Sequence, residues 1–313
     1  MAIEVKPLDA PLGALVFGWD PKTELSGADE TAIRQALQQR QVLIFRDHAQ
    51  PTDKQLVSFA YRFGNLIKGS EWFGDIDPVA EILRVNNLVD DKGVPEGTGA
   101  STSLEWHSDY SYVPHVGKES FLEAVELPAK NPPQTCFTSQ YAAFERLPKA
   151  MAEMLRPLYA FHSITNYVAG DMGGRVSDTP RSAEEFSASF KAKRERNRQA
   201  GVSRPDIPEA VHRVIQRHPD TGREILYVGK AITQSILGLP EDESDDLLKQ
   251  LFAHSTGPEY VYAHDWQVGD MVMFDTLGTL HRRDAWDPSE RRVMRQMSTL
   301  WTPPAHPHSV AAE

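Results

Sequence analysis

Two short stretches carry the residues best suited to chemistry. In Trp106–His107–Ser108–Asp109–Tyr110 a histidine and an aspartate stand two positions apart. On an extended strand, residues i and i+2 project from one face, so an imidazole nitrogen and a carboxylate oxygen can point at a single metal ion. His-x-Asp alone occurs by chance in many chains and needs a third donor from elsewhere. The second stretch runs from Gly269–Asp270 through the apolar Met271–Phe274 to Asp275 and His281, with Arg292 eleven positions further on. Gly269–Asp270 reads as a turn feeding a strand that ends at Asp275; His281 then follows a short loop, placed to rejoin the first pair across a barrel. Two histidines and one carboxylate on one face of an ion, with open positions opposite, is the arrangement of non-haem Fe(II) oxygenases. Arg292 opens the next strand and can offer a bidentate guanidinium to a dicarboxylate beside the metal.

The elements that must position these residues are short. Asp29 to Arg40 has helical character, with Ile33, Ala36 and Leu37 on one face, and Val42–Phe45 reads as a buried strand. Thr52 or Asp53 caps a second helix that stops at Gly64. Helix–strand–helix thus fills about residues 1–80. From about residue 81 to 313, short strand-like segments alternate with Gly, Pro, Asn and Asp turns: Phe121–Val125, Cys136–Ser139, Ile225–Val228, Tyr260–Tyr262, Met271–Phe274 and Val293–Trp301. Such spacing predicts a mainly β protein with flanking helices, a sandwich or jelly roll, within one domain spanning residues 1–313. Two interruptions are expected: a helix over Tyr141 to Leu155, and a long polar insertion over about residues 170–208, the kind of segment that forms a lid or stays disordered. Its cluster Lys191, Lys193, Arg194, Arg196 and Arg198, with Glu195 among them, reads as a solvated helical face.

Composition narrows the function. The 313 residues carry a net charge of −11, which argues against a broad nucleic-acid surface. One cysteine, Cys136, allows no disulfide within the chain, and fits a reducing, cytoplasmic setting. No apolar run approaches the roughly 20 residues of a membrane helix. The first twenty residues show no basic stretch leading into an apolar one, so no secretory leader is expected. A small-molecule substrate is the expected partner.

Across nearly its whole length the chain resembles the taurine/2,4-dichlorophenoxyacetate dioxygenases. The resemblance rests on Gln41–Arg46, Arg62–Gly64, Trp106–Asp109, Glu126–Pro128, Thr135, His218–Arg223, Leu226–Val228, Gly238–Leu239, the Gly269–Asp270 strand, His281 and Arg292, in order and at similar spacing. It implies a double-stranded β-helix, a cupin-like jelly roll. It implies Fe(II) held by His107, Asp109 and His281, with 2-oxoglutarate gripped by Arg292 and Thr135. O₂ and 2-oxoglutarate would be consumed, giving succinate and CO₂, while an unactivated C–H of a small or medium organic acid is oxidised. Hydroxylation is the usual ending, and desaturation and cyclisation share the same site. Because Asp109 is present, halogenation is disfavoured. The resemblance also allows a homodimer or homotetramer.

Several positions depart from the family pattern. Members acting on sulfonates often carry a second arginine four positions after the first, where this chain has Gln296. On a strand, Gln296 faces with Arg292 while Arg295 faces away, so taurine-like recognition there is not expected. Gly229, Thr276 and Phe274 stand where many relatives have asparagine, asparagine and tryptophan, and suggest a reshaped pocket wall. Tyr110 and Gln296 are the candidate substrate contacts, and an anionic substrate is expected. His115, His162, His218 and His254 read as structural histidines, and Cys136 as buried and inert. Asp270 is expected to shape a turn, and Asp275 either to orient His281 or to cap. Two other readings use the same three ligands: a metal-dependent hydrolase, and a non-catalytic cupin-like binding protein. A hydrolase has no use for a dicarboxylate anchor at Arg292.

Overall fold

In the computed structural model, residues 2–69, 79–89, 91, 96–97, 101–164 and 209–301 are described. The chain opens with strands β1 (Glu4–Pro7) and β2 (Ala14–Phe17), helix α1 (Gly27–Arg40), strand β3 (Val42–Phe45) and helix α2 (Asp53–Tyr61). Ser26 caps α1 by accepting from the Asp29 amide, and Thr52 with Gln55 forms a reciprocal capping box on α2, each satisfying amides that a first helical turn leaves open. Strands β1 and β2 escape the sequence reading because each is only four residues long and β1 is mostly exposed. They extend the main sheet, β2 lying parallel to β3.

Next come β4 (Leu83–Asn86), β5 (Leu104–His107), β6 (Gly117–Glu126), β7 (Thr135–Ser139), α3 (Gln140–Glu145), α4 (Lys149–Leu155) and β8 (Tyr159–His162). After the undescribed stretch follow β9 (Ala210–Arg213), β10 (Ile215–Arg217), β11 (Glu224–Leu226), β12 (Thr233–Ile236) and α5 (Glu241–Ser255). The chain then forms β13 (Tyr262–His264), β14 (Met271–Asp275), β15 (Thr279–Arg283) and β16 (Val293–Leu300). The main sheet has the order β1-β2-β3-β14-β6-β16-β4, and a second sheet the order β13-β7-β15-β5. From β4 to β7, and again from β13 to β16, successive strands alternate between these two sheets. That winding is the double-stranded β-helix expected from the sequence.

Period-two alternation builds the layers. Val42, Ile44, Val272, Phe274 and Met294 of the main sheet pack with Phe137 of the second sheet and Trp266. The intervening Leu43, Phe45, Met271 and Met273 pack with Ile33 and Leu37 of α1 and Leu56 and Phe59 of α2. Both faces of β3 and β14 are therefore covered, which is why each reads as an unbroken apolar run. Burying a side chain of this size contributes roughly 2 kcal/mol.

Two expected elements are revised. The helix predicted over Tyr141 to Leu155 is broken into α3 and α4, because Pro148 disfavours helical backbone at Leu147. The strand predicted at Tyr260–Tyr262 is a 3₁₀ turn over Pro258–Tyr260 followed by β13, with Pro258 starting the turn. The polar insertion over about residues 170–208, with its basic cluster, lies outside the described residues. Among the described residues, no helix is long and apolar enough to cross a membrane.

Candidate metal centre

Strands β5 and β15 run antiparallel with His107 directly opposite His281. Facing side chains on one sheet face sit close, and the two imidazole centroids are 4.0 Å apart. His281 is thus a neighbour of His107 within one sheet and does not reach it across the barrel. The expectation that His107 and Asp109 share a strand face is also revised, since β5 ends at His107. Asp109 lies on the turn that follows, closed by Ser111 N donating to Ser108 O (3.4 Å) and Val113 N to Tyr110 O (3.2 Å). Tyr110 takes a left-handed φ of 57° within it, and Ser108 Oγ donates to Thr276 O at 2.6 Å. This curl brings Asp109 Oδ1 to 3.4 Å from His107 Nε2 and 3.8 Å from His281 Nε2.

The donor set suits a divalent ion. One ligand atom from each of the three residues lies within 4.8 Å of the others. His107 Nδ1 donates to Glu105 O at 2.8 Å, which leaves the Nε2 lone pair for the centre. Burial, with His107 beside it, drives the His281 pKa down to about 3, so this imidazole is neutral at physiological pH. Burial alone would raise the Asp109 pKa; the neighbouring His281, His107 and Ser120 side chains outweigh it and lower it. Two imidazoles and a carboxylate gathered in one buried cluster form a donor set suited to a divalent cation.

The same cavity holds the residues expected at the co-substrate. It has about 890 Å³ of empty space counting its open mouth, and its lining includes Thr135, Arg283, Arg292 and Gln296 beside the three donors. Arg292 is 1% exposed. Burial, and secondarily Arg283, pushes its pKa down to about 9. Its Nε is buried with no hydrogen-bond partner, and among the described residues it makes no ion pair. A buried guanidinium without an acid is costly, and a carboxylate ligand relieves that cost. Thr135 Oγ1 accepts from Trp266 Nε1 at 2.9 Å, so its own proton is directed elsewhere.

The remaining candidates divide. Tyr110 lines the cavity, and burial raises its hydroxyl pKa. Gln296 lines it too, but its Nε2 donates to Asp109 Oδ2 at 2.8 Å. Arg295 faces away as expected, bound to Glu123, Asp53 and the Pro51 carbonyl. Asp275 does not touch His281: it accepts from Tyr141 Oη (2.7 Å) and Gly278 N (2.8 Å), and His218 Nε2 lies 3.3 Å away. It therefore holds the turn into β15. Asp270 shapes its turn by accepting from Gln267 N and also pairs with Arg46. Phe274 is core, 5.0 Å from the His281 ring. Thr276 sits behind the cavity and donates to Ser120 Oγ at 2.7 Å. Gly229 packs on the His107 backbone, where a Cβ would come within 3.2 Å of its Cα. Sequence reasoning passed over Arg283, although it lies two residues beyond His281 on β15 and so shares its face. It also passed over Ser120, whose place beside Asp109 has no local signal.

Comparison with known proteins agrees with this geometry. Residues 4–298 match the family model "Taurine catabolism dioxygenase TauD, TfdA family". The chain is 37% identical over 300 residues to pentalenolactone F synthase of Streptomyces avermitilis, covering 95% of this chain and 93% of that protein. It is 32% identical over 292 residues to the alpha-ketoglutarate-dependent 2,4-dichlorophenoxyacetate dioxygenase of Burkholderia sp. strain RASC, covering 88% and 87%. Among solved structures, AAD-2 in complex with Mn(II) and N-oxalylglycine superposes with a TM-score of 0.73 at 26% identity, covering 97% of this chain and 99% of that one. The chain belongs to the taurine catabolism dioxygenase family, TauD/TfdA, and is a dioxygenase of that family.

Proposed function

We propose that the enzyme binds Fe(II) through His107, Asp109 and His281, binds 2-oxoglutarate against Arg292 and Thr135, and oxidises an unactivated C–H of a small or medium organic acid. Succinate and CO₂ are the co-products, and hydroxylation is the expected outcome. The bound Fe(II) supplies O₂ activation coupled to decarboxylation of the 2-oxo acid.

The observation that carries the reading is the buried Arg292 in the cavity that holds the three donors. Its guanidinium pairs with the distal carboxylate, and the Thr135 hydroxyl donates to the same group. Arg283 lines the cavity as well, its Nη2 donating to Thr102 O, and adds positive potential for an acid. Around this polar end, Leu83, Val85, Leu122, Ile164 and Ile232 present hydrocarbon. They hold the substrate body and exclude water from the reacting carbon. Gln296 supplies no charge, which sets this cavity apart from one built for a sulfonate. A reducing, cytoplasmic setting suits the buried thiol of Cys136.

A panel of apolar carboxylic acids assayed with Fe(II), 2-oxoglutarate and O₂ tests the proposal. Substrate-stimulated succinate release, matched by O₂ uptake, is expected for some member. Turnover that needs neither O₂ nor 2-oxoglutarate would point to the hydrolase instead.

A further inference from the structure

We propose that Gln296 is a positioning residue of the metal centre, which makes Asp109 a ligand through one oxygen only. The inference rests on the reading of His107, Asp109 and His281 as the Fe(II) site. The two oxygens of Asp109 have different surroundings. Oδ1 faces both histidine Nε2 atoms, at 3.4 and 3.8 Å. Oδ2 accepts from Gln296 Nε2 at 2.8 Å and from Ser120 Oγ at 3.3 Å. An ionised carboxylate only accepts hydrogen bonds, so the amide must turn its NH₂ end toward Asp109. The Ser120 oxygen also receives Thr276 Oγ1 at 2.7 Å and lies 2.8 Å from Ser298 Oγ; with Ser298 as the donor in that pair, the single Ser120 proton is directed at Asp109.

The strand makes this orientation compulsory. On β16 the side chain of Arg295 is bound on the opposite face to Glu123, Asp53 and the Pro51 carbonyl. Successive residues alternate faces, so anchoring Arg295 directs Gln296 at Asp109. The consequence for chemistry is a matter of available positions. Three facial protein donors leave three positions of an octahedral ion for a chelating co-substrate and O₂. A carboxylate that swung to bind through both oxygens would take one of them. With Oδ2 held by two donors, that swing is opposed.

The test compares wild type with Gln296→Met, which keeps length and removes the donor, and with Ser120→Ala, which acts on the same oxygen. Co(II) and Fe(II) are titrated against a competing chelator, and the Co(II) d–d absorption is recorded. Removing such an outer partner typically weakens metal binding roughly 10- to 100-fold. That loss, with an altered Co(II) spectrum, is expected for Gln296→Met, and a smaller one for Ser120→Ala. If both variants match wild type in metal affinity and spectrum, Gln296 is not a positioning residue. If Gln296→Met does not fold, Gln296→Asn, whose shorter amide is drawn back from Asp109, is read by the same criterion. Failure of wild type to bind either metal would instead overturn the metal-site reading beneath the proposal.

Discussion

Single residues carried most of what the sequence could reveal. His107, Asp109, His281 and Arg292 stand out because metal ligation and anion binding demand particular functional groups, and Thr135 through the family resemblance; all five line one cavity. What those groups require around them was not legible. The amide of Gln296 on Asp109 Oδ2, the Ser120 hydroxyl and the Trp266 indole on Thr135 join residues 187, 11 and 131 positions apart, and no local pattern marks them. Arg283 was within reach of the strand alternation that placed Gln296. The buried state of Arg292, which makes no ion pair among the described residues, yields a prediction at this scale. Arg292→Ala should raise the 2-oxoglutarate dissociation constant by roughly 30-fold or more, the cost of about 2 kcal/mol for losing a charged hydrogen-bond pair. Fe(II) affinity, titrated separately, should change by much less; equal loss of both would mean that Arg292 only supports the fold.

At the scale of elements, the apolar runs of β3 and β14 are readable because both faces are buried, α1 because Ile33, Ala36 and Leu37 share one face, and α2 because its cap at Thr52 is written locally. The end of β5 was not readable. Whether Asp109 continues the strand or turns away depends on Ser108 reaching Thr276 O across the molecule. The turn before β14 shows how one side chain can join elements. Asp270 accepts from Arg46 Nε at 2.7 Å and Nη2 at 2.6 Å, and from Gln267 N at 2.9 Å. Burial would raise its pKa, but Arg46, His264 and the Gln267 amide outweigh it and bring it down to about 2. In the unfolded chain an aspartate titrates near 3.9. The unfolded state therefore binds the proton first as pH falls. The stabilisation is fully present above about pH 4 and is lost as pH drops toward 2, an effect of about 2 kcal/mol. Urea unfolding of the metal-free protein across that window should show Asp270→Asn with a flatter pH dependence than wild type. An unchanged slope would show that Asp270 contributes nothing to acid lability.

The whole molecule is a winding of strands between two sheets, and this was the level least visible in the sequence. A jelly roll could be expected from short strands and turn residues. The pairing of β14 between β3 and β6, and of β15 between β7 and β5, depends on contacts far apart in the chain. That pairing sets His281 opposite His107 and leaves Arg292 and Gln296 at the same cavity. The fold thus gathers three candidate metal donors, a buried arginine and an apolar wall from both sheets and the turn after β5. The most direct test of this account is anaerobic addition of Fe(II) and 2-oxoglutarate to the protein, followed by visible absorption. A metal-to-ligand charge-transfer band near the green is expected for wild type, absent in His107→Ala. No band in wild type at saturating Fe(II) and 2-oxoglutarate would contradict it.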